Sequence, residues 1–335
     1  MPLAGTEFAA DTRGGAILIT LRRRRDGGMD GNLQFSTVQS NRIAGYTPSG
    51  RIGIRTGRWT LTASGSGSFT PVAESRFTET REQAGQPLPF AGRSDSKSRT
   101  NYGRGHFSAV FDPTPKHTAG FDIEYTERIT PENDYSQHTL NAKVGFDLFN
   151  DHIKVDFNAK YVNQHISNQP AGGFVFNPLV GTYTFPRGGD WNGYKSNFET
   201  YNGELNANVQ NWVTTTDETN SNPYWLLNRE RPVVERNRYE FGGSIKYQII
   251  DGLSLTGRMR YERADEHYVR NHYASSYGNK YTYGKMDDNR YFSEQLYADL
   301  LAQYNHTWDD FSLNATLGTS MMQTRSNNVS LQIGR

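Results

Sequence analysis

Three features of the sequence predict an all-β fold, an antiparallel transmembrane β-barrel. Apolar and polar residues alternate at period two over long stretches. Short turns along the chain are separated in pairs by much longer connections. Aromatic residues make up 13% of a chain that is only 35% hydrophobic, with a mean hydropathy of −0.77. Sustained alternation with so many rings is not a disordered composition. A barrel accounts for the low hydropathy, because only every second strand residue meets lipid while lumen and loops stay polar.

The alternation is plainest around Asp251-Gly252. Tyr239, Phe241, Gly243, Ile245, Tyr247 and Ile249 precede it, and Leu253, Leu255, Gly257, Met259 and Tyr261 follow, all at period two. Arg238, Glu240, Ser244, Lys246 and Gln248, then Ser254, Thr256, Arg258, Arg260 and Glu262, fill the other face. Four more turns are expected at Gly57-Arg58, Pro113-Thr114-Pro115-Lys116, Asn150-Asp151 and Asp309-Asp310, built from residues that turns favour. About a dozen strands follow, at 31–42, 49–56, 58–69, 101–112, 117–128, 136–149, 152–164, 236–250, 253–268, 289–308, 311–324 and 328–335. The weakest is 58–69, where Gly65 and Gly67 offer little for lipid to contact. Long connections are expected at 70–100, 165–235 and 269–288, on the extracellular side of a barrel. No segment shows a sustained helical period.

Charge and composition narrow the function classes. With 36 basic and 35 acidic residues there is no electrostatic footprint for nucleic acid. Cysteine is absent, which rules out disulfides and thiolate metal sites. No apolar run approaches the ~20 residues of a transmembrane helix. Met1-Pro2-Leu3-Ala4-Gly5 is followed by Glu7 and Asp11, which is not a signal peptide, so an exported protein would need an N-terminus further upstream. The alternating Val329, Leu331 and Ile333 run up to Arg335, as though the last strand were cut.

Gly14-Gly15-Ala16-Ile17-Leu18-Ile19-Thr20-Leu21-Arg22 resembles the last plug strand of TonB-dependent outer-membrane transporters. A generic buried strand is the alternative. Gly14, Gly15, Ile17, Ile19 and Arg22 would form the plug–barrel junction, and Gly27-Gly28-Met29-Asp30-Gly31 a flexible link. From about Asn133 onward the chain resembles the first half of the SusC/RagA-type barrel of the Bacteroidetes. The words that carry this are Lys143-Val144-Gly145-Phe146-Asp147-Leu148-Phe149-Asn150-Asp151, Phe176-Asn177-Pro178-Leu179-Val180 and Phe185-Pro186-Arg187-Gly188. Gln210-Asn211-Trp212, Asn222-Pro223-Tyr224-Trp225, Asn237-Arg238-Tyr239 and Asp309-Asp310-Phe311-Ser312-Leu313-Asn314 continue in family order. Residues 14–128, with Tyr46, Arg55-Thr56-Gly57-Arg58-Trp59 and Lys116-His117-Thr118-Ala119-Gly120-Phe121, look more like a related TonB-receptor-like barrel family.

The resemblance implies a complete barrel of about 22 strands, of which this chain supplies about half. Residues 1–27 would be the end of the plug and its linker, and 28–335 the first part of the barrel. The implied activity is import of large nutrients, glycans or oligopeptides, across a bacterial outer membrane. The implied partners are outer-membrane lipid, a SusD-like surface lipoprotein and the TonB-ExbB-ExbD system, the last acting through an N-terminal part that this sequence lacks. Transport by this chain alone is therefore not expected.

No convergent set of acids, bases and nucleophiles suggests an enzyme, and no cofactor is implied. His267 and His272 have a spacing that suits neither one strand face nor one helix face, so they do not predict a metal site. Arg22 to Arg25 read as a solvated exit from the plug strand, with contact to anionic lipid or a partner as the alternative. The rings of the 165–235 segment are the best candidates for function. Trp191, Tyr194, Trp212, Tyr224 and Trp225 are expected to touch a glycan or peptide ligand or a lid protein, and the alternative is that they form the loop's own small core or an interfacial belt. Two other readings of the whole chain remain: a structural or adhesive barrel without transport, and a secreted carbohydrate-binding β-sandwich. A sandwich buries its apolar face, whereas a barrel turns it to lipid.

Overall fold

The computed structural model describes residues 27–41, 43–81, 90–129, 133–149, 152–169, 173–276, 281–308 and 311–334, the side chains of 72–100 and 129 excepted. Gly14, Gly15, Ile17, Ile19 and Arg22, expected at a plug–barrel junction, lie outside these, as do the expected turns Asn150-Asp151 and Asp309-Asp310.

The backbone builds one large antiparallel sheet. Its strands are β1 (Gly28–Gln39), β2 (Ile43–Thr56), β3 (Trp59–Arg81), β4 (Phe90–Thr114), β5 (His117–Ile129), β6 (Asp134–Leu148) and β7 (Ile153–Ser167). After an insert carrying the short strands β8 (Glu199–Asn202) and β9 (Ala207–Gln210), the sheet resumes with β10 (Val233–Ile250), β11 (Leu253–His272), β12 (Lys285–Trp308) and β13 (Phe311–Gly334). Each sheet strand pairs with the next along the chain, and β7 pairs with β10 across the insert. The predicted turn sites at Gly57-Arg58, Pro113 to Lys116 and Asp251-Gly252 fall at one end of the sheet, where Thr56 faces Trp59, Thr114 faces His117 and Ile250 faces Leu253, and at that same end Leu148 faces Ile153 and Trp308 faces Phe311.

Several expected boundaries move. The 70–100 connection is mostly strand, because β3 and β4 stay paired from Ala73 opposite Ser98 to Arg81 opposite Phe90. Its polar sequence suggested a loop, but ladder hydrogen bonds are indifferent to side-chain hydropathy. The second strand starts at Ile43 rather than 49, and Pro48 sits where the β2–β3 ladder is interrupted between Tyr46 and Ser49. The expected strands 311–324 and 328–335 are the single β13, with Arg325, Ser326 and Asn327 opposite Glu294, Ser293 and Phe292. The sheet therefore has eleven strands among the described residues, and three short helices appear where none was expected.

Register divides the sheet into two unlike faces. One row of direct neighbours reads Val144, Phe157, Gly243, Met259, Ala298 and Met321, and the row beside it Phe146, Val155, Ile245, Gly257, Leu300 and Thr319. The large side chains of these rows lie open: Phe157 is 54% and Met259 59% exposed. Near the turns the same face carries Trp59 against Phe111, ring centroids 4.6 Å apart, and near the other end Tyr161 against Tyr239 at 5.1 Å. The Tyr161 hydroxyl donates to Asn237 Oδ1 at 2.7 Å and that of Tyr261 to Glu294 Oε1 at 3.2 Å, so these rings end in a polar row.

The opposite face is a lattice of charges. Arg104 pairs with Glu124, His106 lies 3.8 Å from Asp122, and Arg258 lies 2.9 Å from Asp299. Glu240 and Glu262 face each other directly, which alone would be repulsive. Arg260, 3.2 Å from each, and Arg238, 2.6 Å from Glu262, neutralise the pair.

Gly252 closes the β10–β11 turn at φ +86°, where an added Cβ would stand 2.3 Å from the Asn305 carbonyl oxygen. Gly252→Ala is expected to destabilise the fold by about 1 kcal/mol or more, and Gly57→Ala, with φ +58° but open space around it, by less. Thermal unfolding of the two variants side by side checks the order.

Candidate functional site

Residues 173–232 form a small unit between β7 and β10, organised by asparagine caps. Asn177 Oδ1 accepts from the Leu179 N–H at 2.9 Å and opens helix α1 (Pro178–Thr184). Asn222 Oδ1 accepts from the Tyr224 N–H at 2.8 Å and opens α3 (Pro223–Asn228). In both, proline follows the cap, where its missing N–H leaves nothing unpaired. Asp190 caps α2 (Trp191–Ser196) by accepting from the Gly193 N–H at 2.9 Å. Helix α1 lies so close to α3 that a Cβ on Gly181 would stand 2.2 Å from the Ser221 carbonyl oxygen.

The unit's interior is part apolar and part polar. Phe176, Trp225 and Leu226 are buried together, with Phe198 against them. Asn222 is fully buried, and its Nδ2 donates to the Tyr194 and Asn211 carbonyls at 3.1 and 2.7 Å. Gln210 Oε1 accepts from the Asn222 N–H at 2.9 Å while its Nε2 donates to the Ser275 carbonyl at 2.8 Å. Trp225 Nε1 donates to Ser276 Oγ at 3.0 Å. The β11–β12 connection is thereby sewn into the insert.

Four of the five predicted ring residues assemble around Phe185. Its centroid lies 5.0 Å from Trp191, 6.0 Å from Tyr194 and 5.4 Å from Trp212, and Trp191 lies 5.7 Å from Tyr224. Most of these contacts are edge-to-face, the arrangement ring quadrupoles favour. Trp191, Tyr194 and Tyr224 keep part of their surface in solvent, and Lys195 Nζ sits 5.6 Å from the Tyr224 ring. Trp212 is nearly covered and donates from Nε1 to Asn220 Oδ1 at 3.0 Å. Trp225 does not join them. At 0% exposure it has no surface to offer a ligand and fills the loop-core role that was the alternative reading. Phe185, the hub, was visible as one ring among many, but nothing in its sequence neighbourhood marks it as central.

A chain of charges at the insert's base was not anticipated. Glu230 Oε2 lies 2.5 Å from His272 Nδ1 and 3.5 Å from Arg270 Nε. His272 Nε2 lies 3.0 Å from Asp287 Oδ2, and Lys285 Nζ 2.8 Å from Asp287 Oδ1. His267, noted with His272 in the sequence, instead lies 3.0 Å from Asp288. No cluster suited to a metal ion occurs among the described residues.

The fold and this unit define an all-β protein whose antiparallel sheet carries a capped aromatic insert at the end away from its short turns. No protein family matches the sequence, and no curated protein does.

Trp225→Ala is expected to cost about 3–5 kcal/mol of insert stability, and Trp191→Ala clearly less because that ring is only partly buried. Protease sensitivity of the insert ranks the two. Arg229 grips Glu199 with two 2.7 Å bonds, Nε to Oε2 and the second terminal nitrogen to Oε1. That hydrogen bonding holds the Glu199 carboxyl below its usual range. The lowered folded value means the contact stabilises at neutral pH and is lost as pH falls through that value. Carboxyl titration followed by NMR should place Glu199 lower in the wild type than in Arg229→Gln.

Proposed function

We propose that the chain is part of a SusC/RagA-like TonB-dependent outer-membrane transporter that imports large nutrients, glycans or oligopeptides. The observation that carries the membrane half of this reading is the pair of faces set by register, one uncovered and apolar, the other charged and internally neutralised. From Tyr239 to Ile249 the apolar face runs about ten steps of roughly 3.3 Å, which at the roughly 40° tilt of barrel strands covers about 25 Å of bilayer. Rings bound the band on both sides, and the upper tyrosines place hydroxyls in a polar row, as side chains at a lipid–water boundary do. A secreted β-sandwich accords poorly with this, since no second sheet covers the apolar face among the described residues.

The transport half rests on the family words. Those in the insert fall on its structural joints: Asn177-Pro178, Gln210-Asn211-Trp212 and Asn222-Pro223-Tyr224-Trp225 make the caps, the central hydrogen bonds and the buried ring. In this reading Trp191, Tyr194 and Tyr224 meet ligand or a SusD-like lipoprotein on the extracellular side, and TonB-ExbB-ExbD supplies energy through a plug. An adhesive barrel without transport would share the membrane features and differ in needing no TonB.

Met259→Arg, in the middle of the apolar band, is expected to weaken folding into bilayers by about 2–4 kcal/mol, while Gln295→Arg, on the charged face opposite Glu262, should cost far less. Equal losses, or a monodisperse folded protein without detergent, would remove the membrane reading. The function itself is tested by uptake in cells carrying the full-length protein. Import abolished by deleting TonB and reduced by Trp191→Ala with Tyr224→Ala supports a transporter, whereas surface binding that persists without TonB and without import supports the adhesive barrel.

A further inference from the structure

We infer that Ser275, on the connection between β11 and β12, sets the positions of the partly exposed rings of the insert through a relay of two buried amides, Gln210 and Asn222. Ser275 has φ +77°, a left-handed backbone that is uncommon for a residue with a side chain. It offers the insert two acceptors at once. Its Oγ accepts from the Gln210 N–H at 2.9 Å, and its carbonyl accepts from Gln210 Nε2 at 2.8 Å and from the Thr216 hydroxyl at 3.2 Å. Gln210 is buried and passes the grip on, because its Oε1 accepts from the Asn222 N–H at 2.9 Å. The side chain of Asn222 is committed at both ends. Its Oδ1 opens α3 at the Tyr224 N–H, and its Nδ2 holds the Tyr194 and Asn211 carbonyls. Each step is a direct hydrogen bond, and the relay ends on the backbone of two ring residues, Tyr194 and Tyr224, and of Asn211 beside Trp212.

The relay has two states because Ser275 has two. A non-glycine residue keeps a left-handed backbone only where its surroundings over-determine it, and three bonds from the insert do so here. A connection that leaves this conformation withdraws both acceptors from Gln210. Its buried Nε2 is then left with Ser221 Oγ at 3.5 Å, and a buried donor without a good partner is costly, so the side chain reorients. Asn222 loses the acceptor for its N–H and shifts, and with it go the Tyr194 carbonyl and the start of α3. Ser275 and Gln210 are therefore positioning residues. On the reading that Trp191, Tyr194 and Tyr224 meet ligand or lid, the β11–β12 connection governs how that surface is presented, and by linkage a partner seated on the rings favours the gripped connection.

The edge-to-face pair of Trp191 and Trp212, centroids 6.1 Å apart at 75°, reads the rings without a ligand, through an exciton signal in circular dichroism that Trp191→Phe assigns by removing it. In the full chain, Gln210→Ala should remove most of that signal. Ser275→Val, which changes nothing inside the insert, should do the same, because a β-branched residue resists φ +77°. Ser275→Gly adopts that φ freely, keeps the carbonyl arm and should retain the signal. Hydrogen exchange read by mass spectrometry should show peptides over 273–276 about tenfold faster in Gln210→Ala and Ser275→Val, with β10–β12 and residues 178–184 unchanged. An exciton signal that survives in Ser275→Val while 273–276 opens would overturn the relay, as would exchange that spreads through 178–184 in both variants, which marks a merely structural role. Uptake by the full-length protein separates the relay from the reading of the rings as a contact surface. Rings displaced in Ser275→Val with import unchanged sink that reading and leave the relay standing, whereas import lowered with the rings unmoved sinks the relay.

Discussion

Register is the constraint on which the rest of the structure depends. Because side chains alternate across a strand, the pairing of Phe241 with Tyr261 also decides that Glu240 meets Glu262 on the far side. A slip of one residue would carry Met259 into the charge lattice and Arg260 into the apolar band. Both faces resist that slip. On the charged face, the arginines at 238, 258 and 260 would lose Glu262, Asp299 and Glu240. Glycines tighten the register further where the chain reverses, since Gly252 allows β11 to leave the turn close beside Asn305 on β12.

The insert coheres by other means. Few of its backbone groups have a ladder to join, so side chains satisfy them: Asn177, Asp190, Asp217 and Asn222 each accept from N–H groups two or three residues ahead. Such local bonds suit short helices, which have too few turns to satisfy themselves. They also fix where the rings go. Asn222 holds the Tyr194 and Asn211 carbonyls together, which sets Tyr194 and Trp212 beside each other at 5.6 Å. The aromatic cluster is positioned by a polar scaffold, so its partly exposed rings can face a partner without the unit's stability depending on their burial.

This difference explains what the sequence made legible. Turns at Gly57, Asp251-Gly252 and Pro113 to Lys116 were readable because a reversal demands particular residues, and the alternation of β10 and β11 because each strand states its own period. The continuations of β3 and β4 beyond residue 70 were not, since Glu74 to Arg81 hold a single apolar residue, Phe77, and show no period of two, so only a partner strand makes them β. The helices α1, α2 and α3 are each under two turns, too short for a period, although Asn177-Pro178 and Asn222-Pro223 are start signals in themselves. Four of the five ring candidates came together because they share one insert, while Trp225, adjacent to Tyr224, turns the other way on α3. The chain of charges at the insert's base was out of reach, since only the β11–β12 register brings Asp287 to His272.

Two modes of cohesion in one chain also separate two kinds of sensitivity. The sheet is held by its backbone ladder, with the apolar and charged rows of side chains fixing the register. The joint between insert and sheet combines hydrogen bonds from Gln210 and Trp225 to the Ser275-Ser276 turn with the buried charges of Glu230, His272 and Asp287. Removing charge from such a joint weakens it without touching the ladder, whereas disturbing the ladder disturbs both, because Arg270, His272, Lys285 and Asp287 are themselves strand residues.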